Sequence, residues 1–219
     1  GSIRASADGT TFDVSFRGEM KGSLSSLLSG RHNVLNVLGA AAMATRYGIP
    51  WPKIAMAMNS YRGVRRRMEI VGEAAGVTVV DDFAHHPTAI RETIGAARSR
   101  FPGRRVWALL EPRSNTLRRN VFERQLAEAL ALADRVILAG VFKQDRIPEA
   151  ERMNIDHVRE ITTQRGGQVE LGGTADEIAA QVAAQSQPGD VLLVMSNGGF
   201  GGIHGKLLRA LQSLSLIHI

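Results

Sequence analysis

The first 17 residues have the hydrophobic pattern of β-structure. Apolar and polar side chains alternate weakly over Ser2–Ala7 and Thr11–Arg17, the period that places successive side chains on opposite faces of a strand. Asp8 and Gly9 lie between the two stretches, and this dipeptide is typical of a hairpin turn. The pattern therefore predicts two strands joined by a tight turn.

A helical period follows Gly30. Residues with apolar or small side chains recur at the spacing of one helix face: Val34, Leu35, Leu38, Ala41, Ala42 and Thr45. Gly48 and Pro50 come next, an order common after the carboxyl end of a helix. A second, shorter helix is predicted over Trp51–Met58, because Pro52 is favoured in a first helical turn.

Short β-branched runs alternate with amphipathic segments from about residue 63 to residue 211. The predicted strands are Val77–Val80, Val106–Leu110, Val136–Ala139, Val169–Leu171 and Val191–Met195. The predicted helices are Thr88–Arg100, Arg119–Ala133, Ile155–Arg165, Ala175–Gln185 and Ile203–Leu211. Strand–helix alternation at this spacing predicts an α/β fold, a Rossmann-like and mostly parallel sheet with helices on both faces.

Polar or glycine-rich segments follow four of the predicted strands: Asp81-Asp82, Glu111–Thr116, Gly140 and Ser196–Gly199. Right-handed crossovers bring the carboxyl ends of parallel strands to one edge of the sheet. Ligands of such folds bind at that edge. We therefore expect these segments to form the site.

Composition fits a soluble globular protein and excludes several kinds of site. Charged residues make up 22% of the chain, an ordinary share. No cysteine is present, which excludes disulfides, Cys-ligated zinc and a thiol nucleophile. The longest apolar stretch, Val37–Thr45, is too short to span a bilayer, and no basic segment with an apolar run opens the chain. A cytoplasmic protein without a membrane partner is expected.

The net charge of +6 comes from 27 basic residues, of which four are lysines, against 21 acidic residues. Such an excess is also found in proteins that bind nucleic acids. Here the arginines form short clusters at 62–67, 98–105 and 113–124, with few aromatic residues among them to stack on bases. A nucleotide phosphate or a carboxylate fits these clusters better, so no nucleic-acid partner is expected.

The motifs near the first helix and the first arginine cluster each have a structural alternative. Asn36, one helical turn after His32, has a carboxamide that could contact the edge of an adenine. It could equally be a surface residue that follows a helix cap. The cluster Arg62–Arg67 could bind phosphate through bidentate guanidinium contacts, or form a solvated loop.

The string Asp81–Thr88 is the most informative in the sequence. An acidic pair ends a strand, and a carboxylate there suits a ribose hydroxyl or a metal-bound water. Helix capping is the structural alternative, because Pro87 opens the next helix. His85 and His86 are adjacent and cannot point the same way, so a paired metal site is not expected.

The glycine-rich segment Ser196–Lys206 completes neither common phosphate-binding motif. Phe200 and Leu207 stand where a P-loop needs its first glycine and its Ser or Thr, and His204 stands where the dinucleotide motif needs its last glycine. The segment still opens a helix and offers backbone N–H groups to an anion. No metal-ligand set and no nucleophile motif is found.

Taken together, these strings resemble the Mur ligase family, ATP-dependent enzymes that form amide bonds in bacterial cell-wall synthesis. Arg31–Asn36 resembles the family's His-Asn-x-x-Asn motif, and Arg66–Glu69 resembles its (His/Arg)-Arg-x-Glu segment. Asp81–Thr88 is similar to the branch that acts on muramate, which usually has Tyr where this chain has Phe83. The resemblance implies ATP and Mg²⁺ as cofactors.

Glu111–Thr116 and Ser196–His204 resemble the branch that joins UDP-N-acetylmuramate to a murein tripeptide recovered from old cell wall. The reaction implied is a peptidoglycan-recycling ligation through an acyl-phosphate intermediate, which also serves cell shape and cell division. The branch that adds L-alanine during peptidoglycan biosynthesis differs at both strings and is the first alternative. A stand-alone nucleotide-binding module is the second.

The resemblance also implies a domain plan. Residues 1–62 are expected to be the end of the family's central, ATP-binding domain, 63–212 the carboxyl-terminal domain, and 213–219 an unassigned tail. The UDP-binding domain, the P-loop and the magnesium ligands are then expected upstream, so no metal ligand is predicted here. For the same reason the 219-residue chain alone is expected to be inactive.

Carried over residue by residue, the resemblance implies three groups of site residues. Nucleotide would be bound by His32, Asn33, Asn36, Arg67 and Asp82, with Asn36 at the adenine, Arg67 at the γ-phosphate and Asp82 near the ribose. The expected catalytic residues are Arg67 and His85. The tripeptide would be held by Arg113, Ser114, Asn115, Thr116, Ser196, Asn197, Gly198 and Gly199.

Overall fold

The chain divides into two compact units. The structure is a computed structural model that describes residues 2–6 and 9–217, with side chains as far as Ser213. One unit comprises Gly1–Arg65 and Gly95–Pro102, and the other comprises Arg66–Ile94 and Gly103–Ile219. The assignment of 1–62 and 63–212 to two family domains stays a prediction.

The first unit contains a three-stranded antiparallel sheet and two helices. Its elements are β1 (Ile3–Ser6), β2 (Gly9–Phe16), β3 (Glu19–Ser26), α1 (Arg31–Arg46) and α2 (Trp51–Ser60). The two predicted strands and both predicted helices are confirmed, but Gly9, predicted in the turn, begins β2, and Ala7 and Asp8 lie outside the described residues. The sequence did not predict β3, because its polar residues hide the alternation and only Leu24 and Ser26 are buried.

The core of the first unit shows that the predicted buried face of α1 was partly wrong. Val34, Val37 and Ala41 pack with Phe12, Leu24 and Ile54, whereas Leu35 is 56% exposed and Ala42 is also exposed. In a helix rich in Ala and Val, either of two neighbouring stripes of apolar residues could form the buried face. Packing against the sheet selects the stripe that contains Val37.

The second unit is built on a six-stranded sheet in the order β4-β5-β9-β6-β7-β8. Its strands are β4 (Glu69–Ala74), β5 (Val77–Asp82), β6 (Val106–Leu110), β7 (Arg135–Ala139), β8 (Val169–Gly172) and β9 (Val191–Met195). Only β4 runs antiparallel to its neighbour. All five predicted strands and the predicted α/β class are confirmed, and β4 is an additional antiparallel edge strand.

Five helices accompany this sheet: α3 (Pro87–Arg100), α4 (Glu123–Leu130), α5 (Ile155–Gln164), α6 (Ala175–Gln185) and α7 (Ile203–Ile217). The predicted helix over Arg119–Ala133 was too long. Arg119 has extended backbone angles and forms an isolated antiparallel bridge with Arg152, so a helix cannot begin there. A 3₁₀ turn over Asn120–Phe122 precedes α4 instead.

In the second unit, β9 lies in the interior of the sheet, between β5 and β6. Residues of α6 and α7 pack on alternate side chains of the sheet, such as Trp107 and Leu109 of β6 and Leu192 and Val194 of β9. All five residues of β6 and of β9 are buried, which requires cover on both faces. Because β9 lies between β5 and β6, the segments that follow these three strands leave the sheet side by side.

Candidate functional site

Three of the predicted segments meet at the carboxyl edge of the six-stranded sheet. Met195 is in register with both Asp82 and Leu110. Beyond the strands, the Glu111 N–H donates to Met195 O at 3.1 Å, and the Ser196 N–H donates to Asp82 O at 3.2 Å. The predicted convergence of these strand ends is therefore present.

A strained turn presents Arg67 at this edge. Its neighbours Arg66 and Met68 have positive φ angles of 59° and 51°, a conformation that costs a non-glycine residue about 1 kcal/mol or more. Two carboxylates hold the turn: the Arg66 N–H donates to Glu69 Oε2 at 2.7 Å, and the Met68 N–H donates to Asp82 Oδ2 at 2.9 Å. The turn leaves the side chain of Arg67 exposed.

The ring of Phe83 lies against two arginines. Its centroid is 5.1 Å from Cζ of Arg66 and 5.6 Å from Cζ of Arg67, within the range of cation–π contacts. No side-chain hydrogen bond of Arg67 is found within the described part of the chain. Arg67 therefore keeps its N–H donors for an anion, which fits the predicted phosphate contact.

Arg66 has a different role, which sequence analysis missed. Its Nε donates to Asp81 Oδ2 at 3.0 Å, and its Nη2 donates to the carbonyls of Ser196 and Gly198 at 2.7 and 2.8 Å. Arg66 thus fixes the backbone of the glycine-rich loop. Four arginines crowd 62–67, and no pattern in the sequence distinguishes this one from its neighbours.

Asp81 joins this network to α7. His204 Nε2 lies 3.1 Å from Asp81 Oδ1. Burial by itself would raise the pKa of Asp81, but the nearby imidazole of His204 and the Arg66 guanidinium hold that pKa below its usual value. The carboxylate of Asp81 is therefore stabilised in its ionised form between two basic side chains.

Asp82 is almost wholly buried and anchors the backbone on both sides of the site. Its Oδ1 accepts the Ala84 N–H at 2.8 Å and the Thr93 hydroxyl at 3.3 Å, while Oδ2 accepts the Met68 N–H. Burial raises the pKa of Asp82 and outweighs the bonds from Met68 and Ala84. A ribose contact would use the remaining lone pair of Oδ2, and that role stays a prediction.

The two adjacent histidines point to different partners. His85 Nδ1 lies 2.7 Å from Phe83 O, and its ring meets the Phe83 ring edge-on. His86 packs against Phe122, and its Nδ1 accepts the Thr88 N–H at 3.3 Å, at the start of α3. His86 therefore caps a helix, and the catalytic role expected for His85 stays a prediction.

Both serines of the predicted peptide site are buried and hydrogen-bonded inside the protein. Ser196 Oγ donates to Glu111 Oε2 at 2.6 Å and accepts the Gly198 N–H at 2.9 Å. Ser114 Oγ donates to His85 O and accepts the Leu117 N–H, each at 3.1 Å. These hydroxyls hold the loops in place, and the peptide contacts expected for Ser114 and Ser196 stay predictions.

The exposed members of the predicted peptide site are Asn115, Thr116 and Gly199. Asn115 Oδ1 accepts a bond from Arg118 Nη2 at 3.1 Å. Asn197 is half-buried, and its Oδ1 has no hydrogen-bond partner among the described residues. This oxygen is itself buried, and the peptide contact expected for Asn197 stays a prediction.

Arg113 lies at the centre of the peptide segments. A Cβ on Gly198 would be within 2.6 Å of Arg113 Nε, Cδ and Cζ, so the arginine lies directly on the glycine backbone. Its Cζ is 3.6 Å from the ring centroid of Phe142, and its Nη1 is 3.6 Å from Glu111 Oε1. The structure thus brings Arg113 and the glycine-rich loop together, as predicted.

The candidate nucleotide residues of the first unit lie at the start of α1. Asn33 Nδ2 donates to Ser29 O at 2.8 Å, and Asn33 Oδ1 lies 3.4 Å from Asn36 Nδ2. A Cβ on Gly30 would come within 2.9 Å of His32 Cε1, so glycine lets that ring fold back over the helix start. Asn36 is exposed and retains its carbonyl, which fits a base edge, and the adenine contact stays a prediction.

No group of three or more His, Asp or Glu side chains in the described part of the chain is arranged to hold a metal ion. No helix within 2–6 and 9–217 combines the length and apolar character needed to cross a bilayer.

Similarity to known proteins supports the motif-based resemblance. Residues 66–198 match the Mur ligase family in its glutamate ligase domain. The UDP-N-acetylmuramate–L-alanyl-γ-D-glutamyl-meso-2,6-diaminoheptandioate ligase of Escherichia coli K12 is 42% identical over 95% of this chain and 44% of its own length. The UDP-N-acetylmuramate–L-alanine ligase of Roseiflexus sp. RS-1 is 37% identical over 90% of this chain and 42% of its own.

A solved structure agrees with these relatives. The murein peptide ligase of Psychrobacter arcticus 273-4 is 34% identical, with a TM-score of 0.67 over 96% of this chain and 44% of that one. The chain thus spans less than half the length of each of these three relatives. Because the family domain covers more than half of the chain and relatives above 30% identity cover nearly all of it, the chain belongs to the Mur ligase family.

Proposed function

We propose that this chain forms the peptide-accepting part of an ATP-dependent ligase that joins UDP-N-acetylmuramate to L-alanyl-γ-D-glutamyl-meso-diaminopimelate. The E. coli relative carries that reaction in its name and shares 42% of aligned residues over 95% of this chain. The observation that carries the proposal is Arg113, whose donors make no hydrogen bond within the described residues while it lies on Gly198. Such a ligation belongs to peptidoglycan recycling.

Arg113 would bind a carboxylate of the incoming peptide. A guanidinium offers paired, coplanar N–H donors that match the two oxygens of a carboxylate. The exposed Asn115 and Thr116 and the unpartnered Oδ1 of Asn197 would contact the polar groups around that carboxylate. Arg66 and Ser196 would hold the loop backbone that presents these groups.

The nucleotide residues fit an anionic and polar ligand. ATP with Mg²⁺ would supply the phosphoryl group that activates the muramate carboxylate. Arg67 would bind the γ-phosphate through its exposed guanidinium, and charge that develops during transfer would be stabilised there. Asp82 would orient the turn that carries Arg67. In the other unit, Asn36 would contact the adenine.

Substrate preference tests the proposal. The assay uses a ligase of full family length that contains this chain, with saturating ATP and UDP-N-acetylmuramate, and compares the tripeptide with L-alanine as acceptor. We expect kcat/KM for the tripeptide to exceed that for L-alanine by about 100-fold or more, because L-alanine lacks the carboxylates beyond the first residue. Equal or reversed preference would reject it.

The L-alanine ligase is the second candidate. The Roseiflexus relative of that name is 37% identical over 90% of this chain. The same assay separates the two candidates, since an L-alanine ligase would turn over the free amino acid at low concentration and leave the tripeptide unused.

A further inference from the structure

Phe142 lies in the loop after β7, outside every motif that the sequence analysis selected. Its ring centroid is 3.6 Å from Cζ of Arg113, which is a stacking distance. The Phe142 N–H donates to Pro112 O at 3.0 Å, so the loop is fixed to the residue that precedes Arg113. The ring and the guanidinium are therefore on two backbone segments that this hydrogen bond joins.

Gly198 provides the second contact to Arg113. A Cβ at this position would lie 2.2 Å from Nε and 2.3 Å from Cδ of the arginine. Any larger residue at position 198 would therefore displace the side chain of Arg113. The ring of Phe142 and the bare backbone of Gly198 together define where the guanidinium can be.

Neither contact uses a hydrogen-bond donor of Arg113. Arg113 forms an ion pair with Glu111, in which Nη1 is 3.6 Å from Oε1, beyond the distance of a normal hydrogen bond. Arg66 is held in the opposite way, because its Nε and Nη2 donate to Asp81 and to two loop carbonyls. Arg113 is thus oriented in advance while its donors stay available.

We infer that Phe142 is a positioning residue that orients the Arg113 guanidinium for a carboxylate of the peptide substrate. This inference rests on the proposed function for the identity of the ligand. A free arginine side chain loses rotamer freedom when it binds, and one that is already stacked loses less. Phe142 therefore raises affinity for the peptide without contacting it.

The position of Arg113 can be tested without any substrate. In the 219-residue chain, the ring of Phe142 should shift the Arg113 Nε–H resonance upfield, and the peak is assigned by its loss in Arg113→Lys. Phe142→Leu should move that peak to the position of an unstacked arginine, and Phe142→Tyr should keep it in place. A peak that does not move in Phe142→Leu would overturn the inference.

The effect on peptide recognition is tested in the ligase of full family length. Phe142→Leu should raise the KM for the tripeptide about 10-fold while kcat and the KM for ATP stay within about twofold. Phe142→Tyr keeps an aromatic ring and should leave the KM for the tripeptide near that of the parent. A merely structural role of the residue would not require this result. The matched control is Phe16→Leu, since Phe16 is an exposed ring with Arg17 at 5.2 Å and should have no effect.

Gly198→Ala provides a variant that acts from the other contact. The φ of Gly198 is outside the range that only glycine favours, and the added Cβ would meet the flexible side chain of Arg113. The variant should therefore fold, lose the upfield shift and raise the KM for the tripeptide. An unchanged shift in Gly198→Ala would contradict the inferred geometry.

The two readouts separate the inference from the proposed function. If Phe142→Leu raises the KM and leaves the Arg113 peak in place, the ring contacts the peptide itself and the inference is wrong. If the peak moves and the KM does not, Arg113 is held as described but does not bind the peptide, and the inference is again wrong. If the unmodified ligase does not use the tripeptide, the proposed function fails, and the peak still decides whether Phe142 holds Arg113.

Discussion

At the amino-terminal edge of the six-stranded sheet, two arginines donate hydrogen bonds to other groups of the protein. Arg105 donates to both oxygens of Asp190, at 2.8 and 2.6 Å. Asp190 is 3% exposed, and its Oδ2 also accepts the Trp107 Nε1–H and the Gln187 N–H. Arg104 donates to the carbonyls of Gly189 and Asp190 in the same way. These guanidiniums form hydrogen bonds within the protein.

At the carboxyl edge, two arginines are held by other means. Arg67 and Arg113 lie against the rings of Phe83 and Phe142, and the described residues contain no hydrogen bond from either guanidinium. The comparison shows that an arginine can be placed by its flat face as well as by its donors. Arg66 also contacts the Phe83 ring but donates to Asp81 and to two loop carbonyls, so at this edge only Arg67 and Arg113 combine a ring contact with donors that no described residue accepts.

The largest effect is expected from Asp190→Ala at the amino edge. The variant leaves the buried Trp107 indole N–H and the partly exposed Arg105 guanidinium without their acceptor, and we expect a cost of about 3 kcal/mol. Urea unfolding of the chain measures the change in free energy of unfolding. A loss of unfolding free energy below about 1 kcal/mol would show that arginine contacts at this edge stabilise the fold no more than those at the carboxyl edge.

Arg67→Ala tests the carboxyl edge by catalysis. Because Arg67 would act on charge that develops during phosphoryl transfer, we expect kcat of the full-length ligase to fall by about 10²-fold or more, with stability little changed. Steady-state kinetics and thermal unfolding provide the two measurements. Arg62→Ala, in the same cluster, is the control and should have normal turnover. Near-normal turnover in Arg67→Ala would favour the alternative, in which this arginine belongs to a solvated loop and does not bind phosphate.

Arg113→Ala should weaken use of the tripeptide by about 10- to 100-fold in kcat/KM, or about 1.4–3 kcal/mol, because one charge-assisted contact is lost. The KM for ATP should barely change. Both constants come from steady-state assays of the full-length ligase. A rise in the KM for ATP with an unchanged KM for the tripeptide would show that Arg113 belongs to the nucleotide instead.

Asp81→Asn should have the smallest effect, about 1 kcal/mol of unfolding free energy at neutral pH. Because the folded-state pKa of Asp81 is below its ordinary value of 3.8, its stabilisation is present above that value and is lost as the pH falls through the folded pKa. Urea unfolding at several pH values should therefore show a difference between variant and parent that shrinks in acid.

Asp82→Asn is the matched contrast for Asp81. Burial raises the pKa of Asp82, so protonation favours the folded state of the parent. The difference in unfolding free energy between parent and Asp82→Asn should therefore grow in acid. Equal pH slopes for the two variants would contradict the opposite environments of these neighbouring carboxyls.

The sequence predicted the strands and helices more completely than it predicted the side-chain contacts of the site. Five strands of the large sheet were identifiable because each is a short run dominated by apolar residues, and their parallel order places Asp82, Glu111 and Ser196 at one edge. The polar strand β3 and the edge strand β4 had no such pattern. Each is defined by pairing with a neighbour, which a linear pattern does not show.

The partners of the site residues could not be predicted for a similar reason. Phe142 contacts Arg113 across 29 residues, and Arg66 reaches the carbonyls of Ser196 and Gly198 across 130 and 132. Motifs report which residues lie close in the chain. The choice between Arg66 as a loop anchor and Arg67 as a ligand residue depends on the positive φ angles of the turn, which sequence spacing does not specify.

The ring of Phe83 contacts two arginines with different roles. Arg66 fixes the glycine-rich loop, and Arg67 is expected at the phosphate. Displacing one guanidinium changes the packing of the other. Under the proposed roles, we expect nucleotide binding at Arg67 and order of the glycine-rich loop to be linked, and substitutions at Arg66 and Arg67 not to be additive. Each substrate would help to prepare the surface for the other through one aromatic side chain.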